Sequence, residues 1–294
     1  MSELILPVYE WYGLKCKVAN PRSDVKIITT DSDIKTTDTL IARALEVLEL
    51  INNLGLPHYQ HRPQFTFRLA VFPTHDFKKI LFGSKPIEEQ GKWLWAKACC
   101  RGQKYDDTVC YDLSIVTPKW NSLATLDPDD FRELGHEITH SVLANELDDD
   151  VRSSLLDQAV DVKEALAELV PRIDLGLQKR LPNSTEFLLK LRKEDFIPLA
   201  TIRREGTRIF SAKPLSENTG YGSIYLAGLT MAKHLGSGNL SEGIRKLYSM
   251  IAKAKSAPDL WNKVGSVGFE NQETFLQSSF PMIIGQNILR EFVK

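Results

Sequence analysis

The spacing of apolar residues changes near Leu126, and this change sets what the chain can fold into. Upstream, the runs Val25-Lys26-Ile27-Ile28, Phe65 to Phe72 and Val109 to Val116 are rich in β-branched and aromatic residues and bounded by turn residues, a pattern that predicts sheet strands. Between the first two runs, Leu40, Ile41, Ala44, Leu45, Val47, Leu48 and Ile51 recur at helical spacing from Thr37 to Leu54, and Gly55 follows as a stop signal. Beyond Leu126 the spacing is helical almost throughout, with interruptions expected at Pro171, Pro182, Pro198, Pro214 and the Gly236-Ser237-Gly238 turn. The expectation is an α+β fold with a mixed sheet in residues 1–125 and a mainly helical half in 126–294, both belonging to one unit. At 294 residues the chain is long enough to bury the core such a unit needs.

Charge narrows the classes of partner. Thirty-seven basic and 38 acidic side chains leave a formal net charge of -1, so no overall field gathers nucleic acid or an anionic membrane, and neither partner is expected. The opening MSELILPVYEWYGLKCKVANP has no basic run leading into an apolar core, and no stretch of eighteen uninterrupted apolar residues follows. The expected location is cytoplasmic. Cys16, Cys99, Cys100 and Cys110 include no CxxC pair, which argues against a thiolate zinc site.

The segment His136-Glu137-Ile138-Thr139-His140 lies inside a predicted helix. Asp127-Pro128-Asp129-Asp130 has the acids and first-position proline of a helix start, and the helix is expected to run to about Asn145. At 3.6 residues per turn His136 and His140 share a stripe, Glu137 lies beside them, and Phe131, Leu134, Ile138 and Val142 fall roughly opposite. One face therefore meets a core while the other offers two imidazoles one turn apart, with a carboxylate beside them. That is the arrangement a catalytic zinc requires.

A catalytic zinc takes a third protein ligand, and His140 is followed by SVLANELDDD, with no further histidine at the three-histidine spacing. The next helical stretch, 149–170, carries Asp157, Asp161, Glu164 and Glu168 at spacings of four, three and four. This acidic stripe reads either as a solvated helix face or as the source of the missing ligand. From spacing alone any of the four could serve, and Glu168 could instead accept a hydrogen bond from a ligating histidine.

HEITH followed 24 positions later by Glu164-Ala165-Leu166-Ala167-Glu168 resembles the gluzincins, the thermolysin-like and aminopeptidase-like zinc peptidases. The resemblance implies a zincin-like unit holding one zinc ion per chain on His136, His140 and Glu164, with Glu137 as general base. It extends to Tyr221-Gly222-Ser223-Ile224-Tyr225, which opens an apolar helix ending at Leu235-Gly236. This segment is similar to the helix whose first tyrosine stabilises the oxyanion in aminopeptidase-like members, which assigns that role to Tyr221. The implied reaction is hydrolysis of a peptide or protein substrate. Two other readings are a catalytically inactive relative whose cleft binds a protein partner, and an accidental HEITH in a helical scaffold.

The remaining polar and aromatic residues carry blander expectations. His234 is placed to cap a helix end, His58, His61 and His75 to lie at the surface, and Trp93, Trp95 and Trp120 to line a core or cleft wall. Arg203, Arg204 and Arg208 read as solvated cations, with binding of a substrate carboxylate as the alternative.

Overall fold

A computed structural model describes residues 8–11, 14–22, 25–29, 34–56, 67–72, 98–105, 108–116, 128–146, 158–177, 183–206, 219–264 and 272–293, with side chains within 42–56, 132–143, 158–173, 185–206, 219–264 and 275–293. The helices are α1 (Ile34–Asn53), α2 (Pro128–Glu146), α3 (Val160–Leu177), α4 (Asn183–Lys190), α5 (Leu199–Glu205), α6 (Thr219–Leu235), α7 (Leu240–Ala252), α8 (Ala257–Val264), α9 (Gln272–Gln277) and α10 (Phe280–Val293).

The backbone also traces β1 (Val8–Trp11), β2 (Leu14–Arg22), β3 (Val25–Thr29), β4 (Phe67–Phe72), β5 (Ala98–Tyr105) and β6 (Thr108–Val116), paired in the order β1-β2-β3-β4-β6-β5. The pairings β3 with β4 and β4 with β6 are parallel and the other three antiparallel. The parallel β3–β4 pair is joined through α1, because parallel neighbours need a long crossover. Strands β5 and β6 run beside α2.

The fold class needs correction. The expected unit was α+β, with a mixed sheet sharing the core over the helix that bears HEITH. In the part of the chain whose side chains are described, 85% of residues are helical and none lies in a strand, so the fold of this part is all-helical. The physical reason lies in the buried residues. Leu134, Ile138 and Val142 of α2, Val162, Leu166 and Val170 of α3, and Ile244, Leu247 and Ile251 of α7 form helical stripes that satisfy one another. Helix buries helix there.

Small residues let these helices approach closely. Helix α6 is buried continuously from Gly222 to Ala232, with α3, α7 and α10 around it. A Cβ on Gly243 of α7 would stand 1.7 Å from the Ala232 carbonyl oxygen, and one on Gly285 of α10 would stand 1.9 Å from that of Leu226. Glycine at these two crossings is therefore a packing requirement. Gln286 of α10 also donates to the carbonyls of Leu188 and Leu191 at 2.8 and 2.9 Å, supplying partners that the end of α4 lacks within its own helix.

Helix ends follow local chemistry. Helix α1 stops at Gly55 (φ 66), where the Gly55 amide bonds Asn52 and the Leu56 amide bonds Ile51. At the end of α6 the Ser237 amide bonds His234 and the Gly238 amide bonds Lys233, with Ser237 at φ 50. The Asn239 side chain then accepts from the Glu242 amide to start α7. Pro198 stands at the start of α5 as expected. Pro171 does not interrupt its helix: α3 carries it internally and continues to Leu177. Pro182, Pro214 and the stretch 147–157, in which the acidic helix was expected to begin, lie outside the described residues, Asp157 among them.

Candidate metal centre

Helix α2 presents His136 and His140 one turn apart, as its 3.6-residue repeat dictates, and α3 presents Glu164 and Glu168 one turn apart. The two helices run antiparallel where they meet, since His140 faces Glu164 while Arg132 faces Glu168. Their close approach depends on one residue pair. Gly135 offers no side chain where Pro171 presses in, and a Cβ there would lie 2.6 Å from the Pro171 Cβ.

Three atoms converge between the helices. Nε2 of His136 and Nε2 of His140 are 3.0 Å apart, and Oε2 of Glu164 lies 3.1 Å from the first and 3.2 Å from the second. Ligands held about 2.0–2.1 Å from a tetrahedral zinc stand roughly 3.3 Å apart, so the triangle is close to the size of one face of that tetrahedron. His136, His140 and Glu164 form a largely buried group that could hold a metal ion. The remaining ring nitrogen of His140, Nδ1, is buried without a hydrogen-bond partner among the described residues.

Electrostatics favour the ligating forms. Burial is the largest influence on the His140 imidazole and lowers its pKa; Glu164 pulls the other way and does not reverse the shift. Burial would raise the Glu164 carboxyl, but His140, Lys163 and hydrogen bonds from both imidazoles hold it well below the usual carboxylate range. A neutral imidazole and an ionised carboxylate are the forms that bind metal. Lys163 contributes from beside the group, its Nζ 3.4 Å from Glu164 Oε1, the oxygen turned away from the triangle.

Glu168 does not join the triangle. Its Oε1 lies 2.9 Å from Nδ1 of His136, on the far edge of that ring, a contact off the line of a hydrogen bond. Arg132 donates to both Glu168 oxygens at 2.9 and 3.1 Å, and Arg172 pairs with Oε2. Asp161 is turned elsewhere: its Oδ1 accepts from the Val162 amide at 3.0 Å and its Oδ2 lies 3.4 Å from Nε of Arg203. Among the described members of the acidic stripe, geometry thus singles out Glu164.

Glu137 is half-buried on α2 beside the histidines. Tyr221, in the first turn of α6, stands edge-on to His136 with ring centroids 5.7 Å apart. Burial, reinforced by the charges of Glu164, Glu137 and Glu133, raises its hydroxyl well above the ordinary tyrosine value, so it stays a proton donor. Tyr225, one turn further, is buried beneath the Arg172 guanidinium, which lies 4.1 Å from its ring centroid.

His234 is exposed in the last turn of α6, in keeping with a helix-end position. The neighbouring Leu235 carbonyl accepts from Lys246 instead. Arg203 is not a freely solvated cation, since its guanidinium lies 3.2 Å from the Trp261 ring centroid beside Asp161. Arg204 is exposed and pairs with Glu205. His58, His61, His75, Trp93, Trp95, Trp120 and Arg208 lie outside the described residues.

Sequence reading missed Arg132, Lys163 and Arg172 at this site. The spacing held a usable signal, because Arg132 precedes His136 by four residues and Arg172 follows Glu168 by four, which puts Arg132 on the stripe of the histidines and Arg172 on that of the glutamates.

No helix among the described residues is long and apolar enough to cross a membrane. The chain matches no protein-family model, and no curated protein matches it.

Proposed function

We propose that the protein is a zinc-dependent metallohydrolase that cleaves peptide bonds, with His136, His140 and Glu164 as the zinc ligands. The observation that carries this reading is the triangle of two imidazole nitrogens and one carboxylate oxygen, 3.0 to 3.2 Å on a side, with Glu137 on the adjoining helix position. A zinc ion there supplies a Lewis acid and a water of lowered pKa. The chain's own groups do the rest. Glu137 takes a proton from the attacking water and passes it to the leaving nitrogen, and the Tyr221 hydroxyl donates to the developing oxyanion. Strands β5 and β6 run beside α2, and helix α6 packs on α3.

Metal analysis and a peptide-hydrolysis assay on the same preparation test the proposal. About one zinc per chain is expected, with stoichiometric binding lost in His136→Ala and His140→Ala. Glu137→Gln should keep the metal and lose nearly all turnover, because an amide fills the same space without accepting the proton. Equal zinc content in the histidine variants and the parent would remove the metal reading. Zinc binding without turnover on any peptide would remove the peptidase reading.

A further inference from the structure

Lys163 ion-pairs with a proposed zinc ligand, its Nζ 3.4 Å from Oε1 of Glu164, and its side chain is only 17% exposed. A lysine in this place works against a metal centre, because like charges repel and burial removes the water that would screen them. Helix geometry does not require the contact either. Successive residues on a helix do not face each other, and the residues on the Lys163 stripe one turn away, Ala159, Val160, Leu166 and Ala167, are apolar and buried. The ammonium nevertheless comes to the neighbouring carboxylate.

The two oxygens of that carboxylate have different company. Oε2 lies 3.1 Å from Nε2 of His136 and 3.2 Å from Nε2 of His140, whereas Oε1 lies beside Lys163. A carboxylate can bind a metal through one oxygen or through both. Through one, Glu164 and the two histidines supply three ligand atoms and leave the fourth position of a tetrahedral zinc to water. Through both, the same residues supply four. A positive charge held at Oε1 opposes the second mode, since Oε1 then reaches the ion only by leaving the ammonium or by bringing it closer to the ion.

We infer that Lys163 is a positioning residue that sets how Glu164 binds the metal: by holding Oε1 it limits the carboxylate to Oε2 and keeps a coordination position open for water. The inference rests on the metallohydrolase reading above and adds to it the coordination mode of one ligand.

The test uses the full chain with zinc alone and two measurements. Competition with a chromophoric chelator gives zinc affinity. The infrared difference between zinc-loaded and zinc-free protein gives the binding mode, because the two stretching bands of a carboxylate lie closer together when both oxygens bind a metal than when one does. The parent should show the widely spaced pair, and its loss in Glu164→Gln at saturating zinc assigns it to Glu164. Lys163→Met removes the charge while keeping an unbranched stem. It should bring the bands together, bind zinc at least as tightly as the parent, and lower peptide turnover by ~10- to 100-fold. Lys163→Arg keeps the charge and should keep the parental spacing. Affinity separates positioning from general damage, since a variant that merely loosens α3 binds zinc more weakly.

A folded Lys163→Met with the parental band spacing overturns the inference, as does zinc binding weaker than parental in that variant or a closely spaced pair in the parent. If Lys163→Met does not fold, Lys163→Gln decides by the same measurements. A parent that binds no zinc removes the metal reading and this inference with it, whereas a parent that binds zinc leaves the metal reading standing whatever the variants show.

Discussion

The buried carboxyl of Asp161 makes stability depend on pH in the direction opposite to an ordinary paired acid. It is 1% exposed in the first turn of α3, with the Val162 amide on one oxygen and Arg203 Nε 3.4 Å from the other. Burial raises its pKa from 3.8 to about 7, against the opposing pull of Arg203 and the backbone amides. The unfolded chain releases this proton near 3.8 and the folded chain near 7, so between those values the folded state binds more protons. Stability present in full below pH 3.8 is therefore lost as the pH climbs through about 7. Over that interval of about three pH units, the loss is on the order of 4 kcal/mol. Asp161→Asn stays neutral and should not show it. Urea unfolding of both proteins from pH 4 to pH 8, in excess chelator so that metal linkage does not enter, isolates the effect as the difference between them. Groups common to both cancel. These include Glu164, whose depressed pKa acts with the opposite sign and removes stability as the pH falls. The variant's advantage should grow by ~4 kcal/mol across the range, which for an m-value of about 3 kcal/mol/M moves the midpoint difference by roughly 1 M. A difference that is the same at pH 4 and pH 8 refutes the reasoning.

Three further outcomes follow from the geometry of the centre. Glu164→Ala should abolish tight zinc binding, whereas Glu168→Ala, which removes the contact behind His136 together with the carboxylate shared by Arg132 and Arg172, should weaken it by ~10- to 100-fold; a chelator titration showing the reverse order would exchange their roles. Tyr221→Phe should lower kcat by about a hundred- to a thousand-fold with KM and zinc content little changed, while Tyr225→Phe, buried under Arg172, should leave kcat near the parental value; steady-state kinetics on the pair checks both. Gly135→Ala would gain about 1 kcal/mol of helix propensity in an unconstrained helix, but the 2.6 Å approach to the Pro171 ring should add ~1–3 kcal/mol of overpacking, so the melting temperature should fall.

Local features were legible in the sequence wherever one helix or turn contained the whole argument. HEITH needed only the 3.6-residue repeat to put two imidazoles on one stripe, and α2 runs from Pro128 to Glu146 much as its start signals implied. Gly55 and the 236–238 turn announced two helix ends for the same reason: left-handed closing residues are a local demand. Spacing alone could not choose among Asp161, Glu164 and Glu168, which all lie on one stripe. The choice was made by α2, a different helix, whose histidines meet Glu164 and leave Asp161 to Arg203. Fold class escaped for a related reason, since apolar periodicity reveals that a strand or helix has a buried face but not which element covers it. In the described part, helices cover helices. Pro171 is the clearest case of the difference. In sequence it signals an interruption, but tertiary packing uses its ring to fill the space that Gly135 leaves open, bringing α2 and α3 close enough for His136 and His140 to reach Glu164.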